Sequence, residues 1–460
     1  MPVLHAARAL TPEGWKSDVR ITIEEGKIAA VETGAGAREG DERHAIMAPA
    51  AANLHSHAFQ RAMAGLAEVR GREIDTFWTW RETMYRFALQ MSPDDVEAVA
   101  AQLYVEMLEA GFAAVAEFHY LHHAPDGSPY ESRAEMAGRI LAAARRTGIG
   151  ITLLPVFYAH STFGGAPPEP EQRRFVNDVA SFARLVDDCR RMVEGERDET
   201  IGIAPHSLRA VSPGELSELI SLAGDAPIHI HAAEQIKEVE DCVAWSGARP
   251  VRWLIDHAGV DEKWCLVHAT HMDERETQDL ARSGAVAGLC PVTEANLGDG
   301  IFNAADYLRS GGRYGVGTDS NVSIGVAAEL RQLEYAQRLR ERARNVCAPA
   351  GGSTGRAMLE AIWSGGAQAL RRRCGRLAPG ASADILTFRA DHPTLVGKAD
   401  DQILDVWIFS VGNGLVDCVW SGGLKVVVDG RQHALRGFHC RVTTGGSRVA
   451  TGTGRAATTG

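Results

Sequence analysis

Short apolar runs alternate with amphipathic helical segments along most of the chain, which is typical of a parallel β-sheet whose strands are joined by helices. One helical segment begins at Ser92-Pro93, where a serine N-cap precedes a proline, and ends at Gly111. Another begins at Ser212-Pro213. The candidate strands between such segments are Ile46–His57, Phe112–Tyr120, Ile149–Tyr158, Ile201–Ser207, Pro227–Glu234, Trp264–Thr270, Ala285–Val292 and Tyr314–Ser320.

Eight candidate strands with intervening helices predict an α/β fold, specifically a (β/α)8 barrel of the TIM type over residues 48–375. An open doubly wound sheet is less favoured, because no strand candidate is followed by a glycine-rich dinucleotide loop. The chain has 460 residues, of which 45% are hydrophobic. It is therefore long enough for a large barrel and a smaller second domain.

Short β-like runs lie near both ends of the chain, and neither group is long enough to bury a core by itself. We therefore predict one small β-sandwich domain formed jointly by residues 1–47 and 376–436. Residues 437–460 contain no acidic residue and are rich in threonine and glycine, so they predict a disordered tail. The β-like runs are Asp18–Glu24, Lys27–Val31, Asp384–Phe388, Val416–Trp420 and Leu424–Val428.

Charge and cysteine content exclude several classes of partner. The 59 acidic and 48 basic residues give a net charge of −11, which repels a phosphate backbone, so no nucleic-acid partner is expected.

No run reaches the roughly 18 apolar residues of a membrane helix, and the first residues lack a signal-peptide core. We expect a cytoplasmic protein without membrane contact. The eight cysteines are scattered, which argues against disulfides and a thiolate zinc site.

Polar side chains lie at the C-terminal ends of most of the candidate strands. The active site of a β/α barrel forms at the C-terminal ends of its strands, so we expect these side chains to converge. Alternate residues of a strand point the same way, which lets a His-x-His pair face the barrel axis together. The residues are His55 and His57 in the first strand, His206 in the fourth, His231 and Glu234 in the fifth, His268 in the sixth and Asp319 in the eighth.

Three of these imidazoles and one carboxylate form a ligand set suited to zinc or another first-row dication. We predict that His55, His57, His231 and Asp319 bind one divalent metal ion, with Zn²⁺ as the expected metal. His229 alternates with His231 and is the alternative ligand; His231 is favoured because it ends the apolar run. A bound dication lowers the pKa of water from 15.7 to about 7 and so supplies hydroxide at neutral pH.

Glu234, His268 and Asp319 are the predicted catalytic residues. Glu234 would carry a proton from the water to a departing nitrogen, while His268 and Asp319 orient the water and help to deprotonate it. A lone His-x-His pair is a weak signal in a chain with 17 histidines, so the prediction depends on the whole constellation of strand ends. The histidines expected not to be ligands are His119, His122, His123, His160, His257 and His271.

These residues resemble those of the amidohydrolase superfamily, whose members combine a metal-bearing barrel with a small β-sandwich built from both chain ends. The resemblance spans about residues 1–435 and includes the Gly26-Lys27-Ile28 turn and the Gly375–Ile385 segment. Glu234, three residues after His231, resembles a glutamate found in the deaminase branch of this superfamily. This resemblance implies one metal ion and no carboxylated lysine.

Five further segments are similar to members of that branch that act in histidine degradation. The implied reaction is hydrolysis of the C=N group of N-formimidoyl-L-glutamate to N-formyl-L-glutamate and ammonia. The segments are Asn53–Met63, Gly65–Glu68, Phe77–Arg81, Glu117–Tyr120 and Pro205–Arg209.

A dicarboxylate substrate on a chain of negative net charge requires local cations. Arg81 and Arg209 offer guanidinium groups that match carboxylates in a bidentate geometry. We expect His206 and Tyr120 to add hydrogen-bond donors, and Gln60 to bond the formimidoyl region. The expected small-molecule partner is a dicarboxylate substrate. We also expect a homodimer, in which the protein partner is a second copy of the chain.

Two other functions are compatible with the sequence. A deaminase of the same branch could act on a purine, a pyrimidine or a guanidine compound, although such a site would depend on stacking more than on paired arginines. The chain could also be a metal-free structural relative that uses the barrel for assembly. The presence of all the predicted ligands argues against this second reading.

Overall fold

The computed structural model describes residues 2–70, 74–196, 198–432, 441–444 and 447–450. Its strands are β1 Val3–Thr11, β2 Gly14–Glu24, β3 Lys27–Glu32, β4 Glu42–Pro49, β5 Ala51–Ser56, β6 Phe112–His119, β7 Gly150–Phe157, β8 Glu199–Ile201, β9 Ala204–Pro205, β10 Ile228–Ala232, β11 Trp264–His268, β12 Val286–Leu289, β13 Arg313–Val316, β14 Ile385–Phe388, β15 Val416–Ser421, β16 Leu424–Val428, β17 Arg431–Gln432, β18 Arg441–Thr444 and β19 Ser447–Ala450. Its α-helices are α1 Phe77–Ala88, α2 Pro93–Glu109, α3 Glu135–Thr147, α4 Val179–Val193, α5 Pro213–Ala223, α6 Ile236–Ser246, α7 Pro250–His257, α8 Glu274–Ser283, α9 Pro291–Leu297, α10 Ala304–Arg309, α11 Val326–Glu341, α12 Thr354–Ala369 and α13 Asp401–Val406.

Strands from both chain ends share one eight-stranded sheet, in the order β17-β16-β15-β14-β4-β1-β2-β3. Strand β4 lies between β1, to which it is parallel, and β14, to which it is antiparallel. One face buries a small apolar core that includes Leu4, Val19, Ile21 and Trp420. The β-like runs at both ends are confirmed as strands. Strand β1 was not predicted from the sequence.

The middle of the chain forms two parallel sheets. Strands β5 to β8 form one of them, with β9 also paired to β7, and strands β10 to β13 form the other. Single parallel bridges connect Ser56 to Asp319 and Ile203 to Ile228. The α/β class with parallel strands is therefore confirmed. The fourth candidate strand is divided at Gly202-Ile203 into β8 and β9.

The first candidate strand, Ile46–His57, is wrong as a single element. It divides at Ala50, because the Ala50 amide donates to the Asp384 carbonyl whereas the Ala51 amide donates to the Gly111 carbonyl. The chain thus passes directly from the end sheet into the parallel sheet. Both halves are apolar, so the hydrophobic pattern alone contains no signal for this change of partner.

The predicted helix starts agree with the structure. Ser92 caps α2, accepting from the Asp95 amide, and Asp95 accepts in return from the Ser92 amide. Ser212 caps α5 in the same way, with Glu215 as the partner. These capping boxes satisfy backbone groups that a helix start would leave unpaired.

The described cysteines are all buried free thiols, as expected. Among the described residues, no helix combines the length and the apolar composition needed to cross a bilayer. The predicted disorder of residues 437–460 falls largely outside the described residues. Within that segment, β18 and β19 pair in antiparallel orientation.

Candidate metal centre and active site

Four side chains from three separate chain segments meet at one buried point. Nε2 of His55 lies 3.2 Å from Nε2 of His57 and 3.1 Å from Nε2 of His231. Asp319 Oδ1 lies 3.3 Å from His55 Nε2 and 3.2 Å from His57 Nε2. The structure therefore brings together all four predicted metal ligands.

These spacings match the coordination shell of a small dication. Zinc–nitrogen and zinc–oxygen bonds of about 2.0–2.1 Å give a tetrahedron whose donors are roughly 3.3 Å apart. The donor set consists of neutral imidazoles and one carboxylate, which is the chemistry that zinc and other first-row dications prefer. The residues present thus fit a single divalent metal ion.

Backbone contacts fix His55 of β5, and His57 just after it, against the segment after β13. The Asp319 amide donates to the His55 carbonyl at 3.0 Å, and the His57 amide donates to the Asp319 carbonyl at 3.0 Å. Asn321 donates to the carbonyls of both His57 and Asp319. A Cβ at Gly317 would lie 2.7 Å from the His55 Cβ, so only glycine permits this close approach.

Hydrogen bonds to the remote ring nitrogens set the tautomers of two ligands. His57 Nδ1 donates to the Phe118 carbonyl and His231 Nδ1 donates to the His206 carbonyl, both at 2.9 Å. Each bond leaves the Nε2 lone pair directed at the centre. Burial lowers the pKa of His55 to about 3, so its imidazole is neutral. The alternative ligand His229 instead bonds the Ala369 carbonyl and lies outside the cluster.

A carboxylate and an imidazole flank the ligand cluster. Oε1 of Glu234 lies 3.6 Å from His268 Nε2, and that nitrogen lies 3.9 Å from Asp319 Oδ2. Burial raises the pKa of the Glu234 carboxyl, although His268 and Arg209 oppose the shift. Burial would lower the pKa of His268, but Glu234, Glu294 and Asp319 outweigh it and raise that pKa. The three predicted catalytic residues therefore lie side by side in a buried site.

Glu234 owes its position to a second buried glutamate. The two oxygens of Glu238 accept hydrogen bonds from the Ala233 amide at 3.1 Å and from the Glu234 amide at 3.0 Å. Ala233 itself has a φ of 52°, in the left-handed region. The bonds from Glu238 stabilise this sparsely populated conformation, which turns the chain sharply after β10.

All five predicted substrate-binding residues line one cavity, which three of the four predicted metal ligands and the acid–base pair also line. Gln60 Nε2 donates to the Tyr120 hydroxyl at 2.8 Å, and Gln60 Oε1 has no partner among the described residues. The Arg81 guanidinium lies over the Trp78 ring at 4.7 Å, and Arg209 Nε is buried without an acceptor. His206 bonds Ser207 beside them. The pocket therefore offers one acceptor, on Gln60, and one donor, on Arg209, that the described residues leave unpaired.

Sequence reasoning missed several residues that shape the site. Glu294 of α9 lies with its Oε1 3.3 Å from His268 Nδ1 and accepts from the Cys290 amide. Asp299 accepts from Gln235 beside the acid–base pair. The walls of the pocket are aromatic as well as cationic. The aromatic lining residues that were missed are Phe77, Trp80, Tyr85, Tyr158 and Phe175.

The histidines predicted not to be ligands lie apart from the cluster. His122 and His123 bond the carbonyls of Val156 and Val176, and His160 bonds Glu215. His257 and His271 bond the carbonyls of Trp253 and Asp299. His119 is buried against His122.

The fold and the site define a class of hydrolase. The model of the Amidohydrolase family matches residues 46–426, and the chain belongs to this family, whose members depend on metal ions. The model described as Formimidoylglutamate deiminase HutF, N-terminal domain, matches residues 1–45. The chain is 50% identical to the formimidoylglutamate deiminase of Pseudomonas aeruginosa, over 94% of this chain and 96% of that protein.

Two solved structures resemble the chain along most of its length. The crystal structure of an amidohydrolase from Brucella melitensis has 56% identity and a TM-score of 0.91, covering 94% of this chain and 96% of that one. An adenosine deaminase from Xanthomonas campestris with bound zinc has 21% identity and a TM-score of 0.78, with 94% of both chains covered. This second likeness shows the shared fold.

Proposed function

We propose that this chain hydrolyses N-formimidoyl-L-glutamate to N-formyl-L-glutamate and ammonia, a step of histidine degradation. The observation that carries the proposal is the 50% identity to a formimidoylglutamate deiminase along nearly the whole of both chains. The pocket agrees with it in chemistry, since cationic and neutral donors face the cavity next to an acid–base pair. One water is consumed, the C=N bond is replaced by C=O, and nitrogen leaves as ammonia.

We infer that His55, His57, His231 and Asp319 hold one divalent ion, with Zn²⁺ as the proposed metal. The tetrahedral spacing of the four donor atoms supports this assignment. When bound, such an ion lowers the pKa of a coordinated water to about 7 and provides the nucleophile at neutral pH.

Asp319 is the proposed proton acceptor for the attacking water, and His268, whose raised pKa favours the imidazolium, orients that water. Asp319 Oδ2 lies 3.9 Å from His268 Nε2, so one water molecule can contact both groups. Glu234 then delivers a proton to the departing nitrogen. Its Oε1 lies 3.6 Å from His268 Nε2, and its burial favours the protonated carboxyl that this role requires.

The substrate carboxylates would be held by Arg81 and Arg209. Arg209 has a buried Nε without an acceptor, and a bound carboxylate would supply one. Gln60, oriented by Tyr120, would bond the formimidoyl region through its free Oε1, which can accept from an N–H group. His206, whose ring centroid lies 4.9 Å from that of His231, also lines the pocket and can donate a further hydrogen bond.

The architecture proposed for this chemistry is a closed (β/α)8 barrel over residues 48–375, with a β-sandwich domain from residues 1–47 and 376–436. Single bridges at the edges of the two parallel sheets, Ser56 with Asp319 and Ser207 with His231, support closure. The eight-stranded end sheet supports the shared second domain. The proposed homodimer would be tested by light scattering of the purified protein.

The decisive assay compares ammonia release from N-formimidoyl-L-glutamate with release from adenosine, guanine and cytosine, using metal-loaded protein. We expect turnover of N-formimidoyl-L-glutamate alone. Faster ammonia release from a base would reverse the assignment in favour of a base deaminase. The adenosine deaminase described above has the same fold. The remaining alternative is a deaminase that acts on guanidine compounds. Ammonia release from a guanidine compound such as N-carbamimidoyl-L-glutamate tests it.

A further inference from the structure

A second groove lies at the opposite end of the parallel strands from the metal cluster. It is bordered by helix α12 from Arg356 onward, by the segment after α12, by the end of β1, and by Pro49 at the end of β4, just before β5. Arg372, one of its residues, packs against Gly150 at the start of β7. A strand of eight residues spans roughly 25 Å, so this groove is well separated from the active-site pocket.

The charge of this groove opposes that of the whole chain. Among the described residues that line it are five arginines and a single carboxylate, Glu360, in a protein of net charge −11. Such a local excess of cations attracts anions. The arginines are Arg356, Arg371, Arg372, Arg373 and Arg376.

Three of the five arginines are not neutralised by carboxylates. Arg356 pairs with Glu360 and Asp401, and Arg372 pairs with Asp198. Arg371, by contrast, donates only to the Asp225 backbone carbonyl. Arg373 and Arg376 are exposed and make no side-chain hydrogen bond or ion pair with the described residues. Since Glu360 is already paired, the groove has guanidinium donors to spare.

Buried donors in the same groove also lack acceptors. The Trp363 indole Nε1 belongs to a side chain that is 5% exposed, and it has no hydrogen-bond partner among the described residues. Arg372 Nε, also buried, is equally without a partner. A buried N–H without an acceptor is energetically costly. Both side chains line the groove, which agrees with a site for an anion beside the free arginines.

We propose that this groove binds a small polyanion that carries two or more phosphate or carboxylate groups. Guanidinium forks bind both kinds of group in a bidentate manner. Arg373 and Arg376 provide the exposed contacts. This site is separate from the one that hydrolyses the substrate, so ligand binding and deamination can be tested independently.

The test is isothermal titration of the metal-loaded full chain with two probes, fructose 1,6-bisphosphate and propane-1,2,3-tricarboxylate. These probes distinguish organic phosphates from polycarboxylates. We expect saturable one-to-one binding of at least one probe, weakened about ten-fold by the double substitution R373Q/R376Q because two charge-assisted contacts are lost. Deaminase turnover and melting temperature should not change in this variant.

The matched control is R43Q/R344Q, which removes the same charge from two exposed arginines outside the groove. It should bind the probes within two-fold of the unmodified chain. Arg209→Met, in the active-site pocket, should also leave probe binding unchanged. The proposal is overturned if neither probe saturates, if R373Q/R376Q binds as tightly as the control, or if Arg209→Met abolishes binding.

Discussion

The two sides of the active-site pocket are built in different ways. On the metal side, the donor atoms come from strand ends and lie 3.1 to 3.3 Å apart, and backbone hydrogen bonds hold the segments that carry them. On the other side, Arg81 belongs to helix α1, Arg209 follows β9, and polar atoms of Gln60 and Arg209 have no partner in the part of the chain that the structure describes. The first side is preorganised for an ion, whereas the second has polar groups that the fold itself does not pair. Substitutions on the two sides should therefore have different kinetic signatures.

The largest effect is expected from His231→Asn. Loss of one of four donors should remove the metal and lower kcat/KM on the order of 10³-fold or more. Metal analysis of the purified variant and an ammonia assay measure both effects. His229→Asn is the matched control, because His229 lies two residues earlier in the same strand but bonds the Ala369 carbonyl. If His229→Asn lost the metal and His231→Asn kept it, the ligand assignment would be reversed.

Glu234→Gln should separate chemistry from metal binding. The amide cannot transfer the proton, so kcat should fall about 10²- to 10⁴-fold while metal content stays the same. Steady-state kinetics and metal analysis measure these quantities. Glu240→Gln, an exposed position in the following helix, should have no effect on either. Unchanged turnover by Glu234→Gln would exclude this carboxyl from proton transfer.

Arg209→Met should have the opposite signature. Removing a buried cation that would pair with a substrate carboxylate should raise KM on the order of 10²-fold and lower kcat much less. Arg209 also lies 3.9 Å from Glu234, so some loss of kcat is expected. Full kinetic curves distinguish the two parameters. Arg275→Met, at an exposed arginine of α8, is the control. A large fall in kcat at constant KM would place Arg209 in the chemical step.

The smallest effect is expected from Glu294→Gln. Glu294 lies 3.3 Å from His268 Nδ1, so it orients the imidazole that the mechanism uses without touching the proposed substrate. Weakening this contact should lower kcat about ten-fold, as is typical of a residue that orients a catalytic group. Metal content and KM should stay constant. Because a structural defect would also lower stability, the melting temperature should be measured, and a decrease of activity in proportion to unfolding would contradict the positioning role.

The sequence predicted the side chains at the strand ends better than the residues that surround His268, for a physical reason. Ligands at strand ends, such as His55 and Asp319, follow apolar runs whose ends are visible in the hydrophobic pattern. Glu294 and Asp299 instead lie on and after the short helix α9, where a buried acidic residue interrupts no recognisable periodicity. Residues of this kind become apparent only when packing shows which histidine they contact.

The same reasoning explains where the predicted fold was incomplete. Leu4 and Ala6 of β1 are buried, but polar and small residues around them weaken the strand pattern. The break at Ala50 depends on which sheet supplies the acceptor carbonyl, and that is a property of tertiary structure. Arg81 and Arg209 were proposed as substrate-binding residues with the help of a family resemblance, since a lone arginine in a sequence does not reveal whether a carboxylate already neutralises it.

The position of β4 between β1 and β14 has a consequence for synthesis on the ribosome. One edge of β4 pairs with β1 as soon as both have emerged, but the other edge needs Ile385–Phe388, more than 300 residues later. At about 5–20 residues per second, that edge stays open for tens of seconds. Nascent chains of this protein therefore carry an uncovered strand through most of translation, which makes them candidates for chaperone protection at their amino-terminal end.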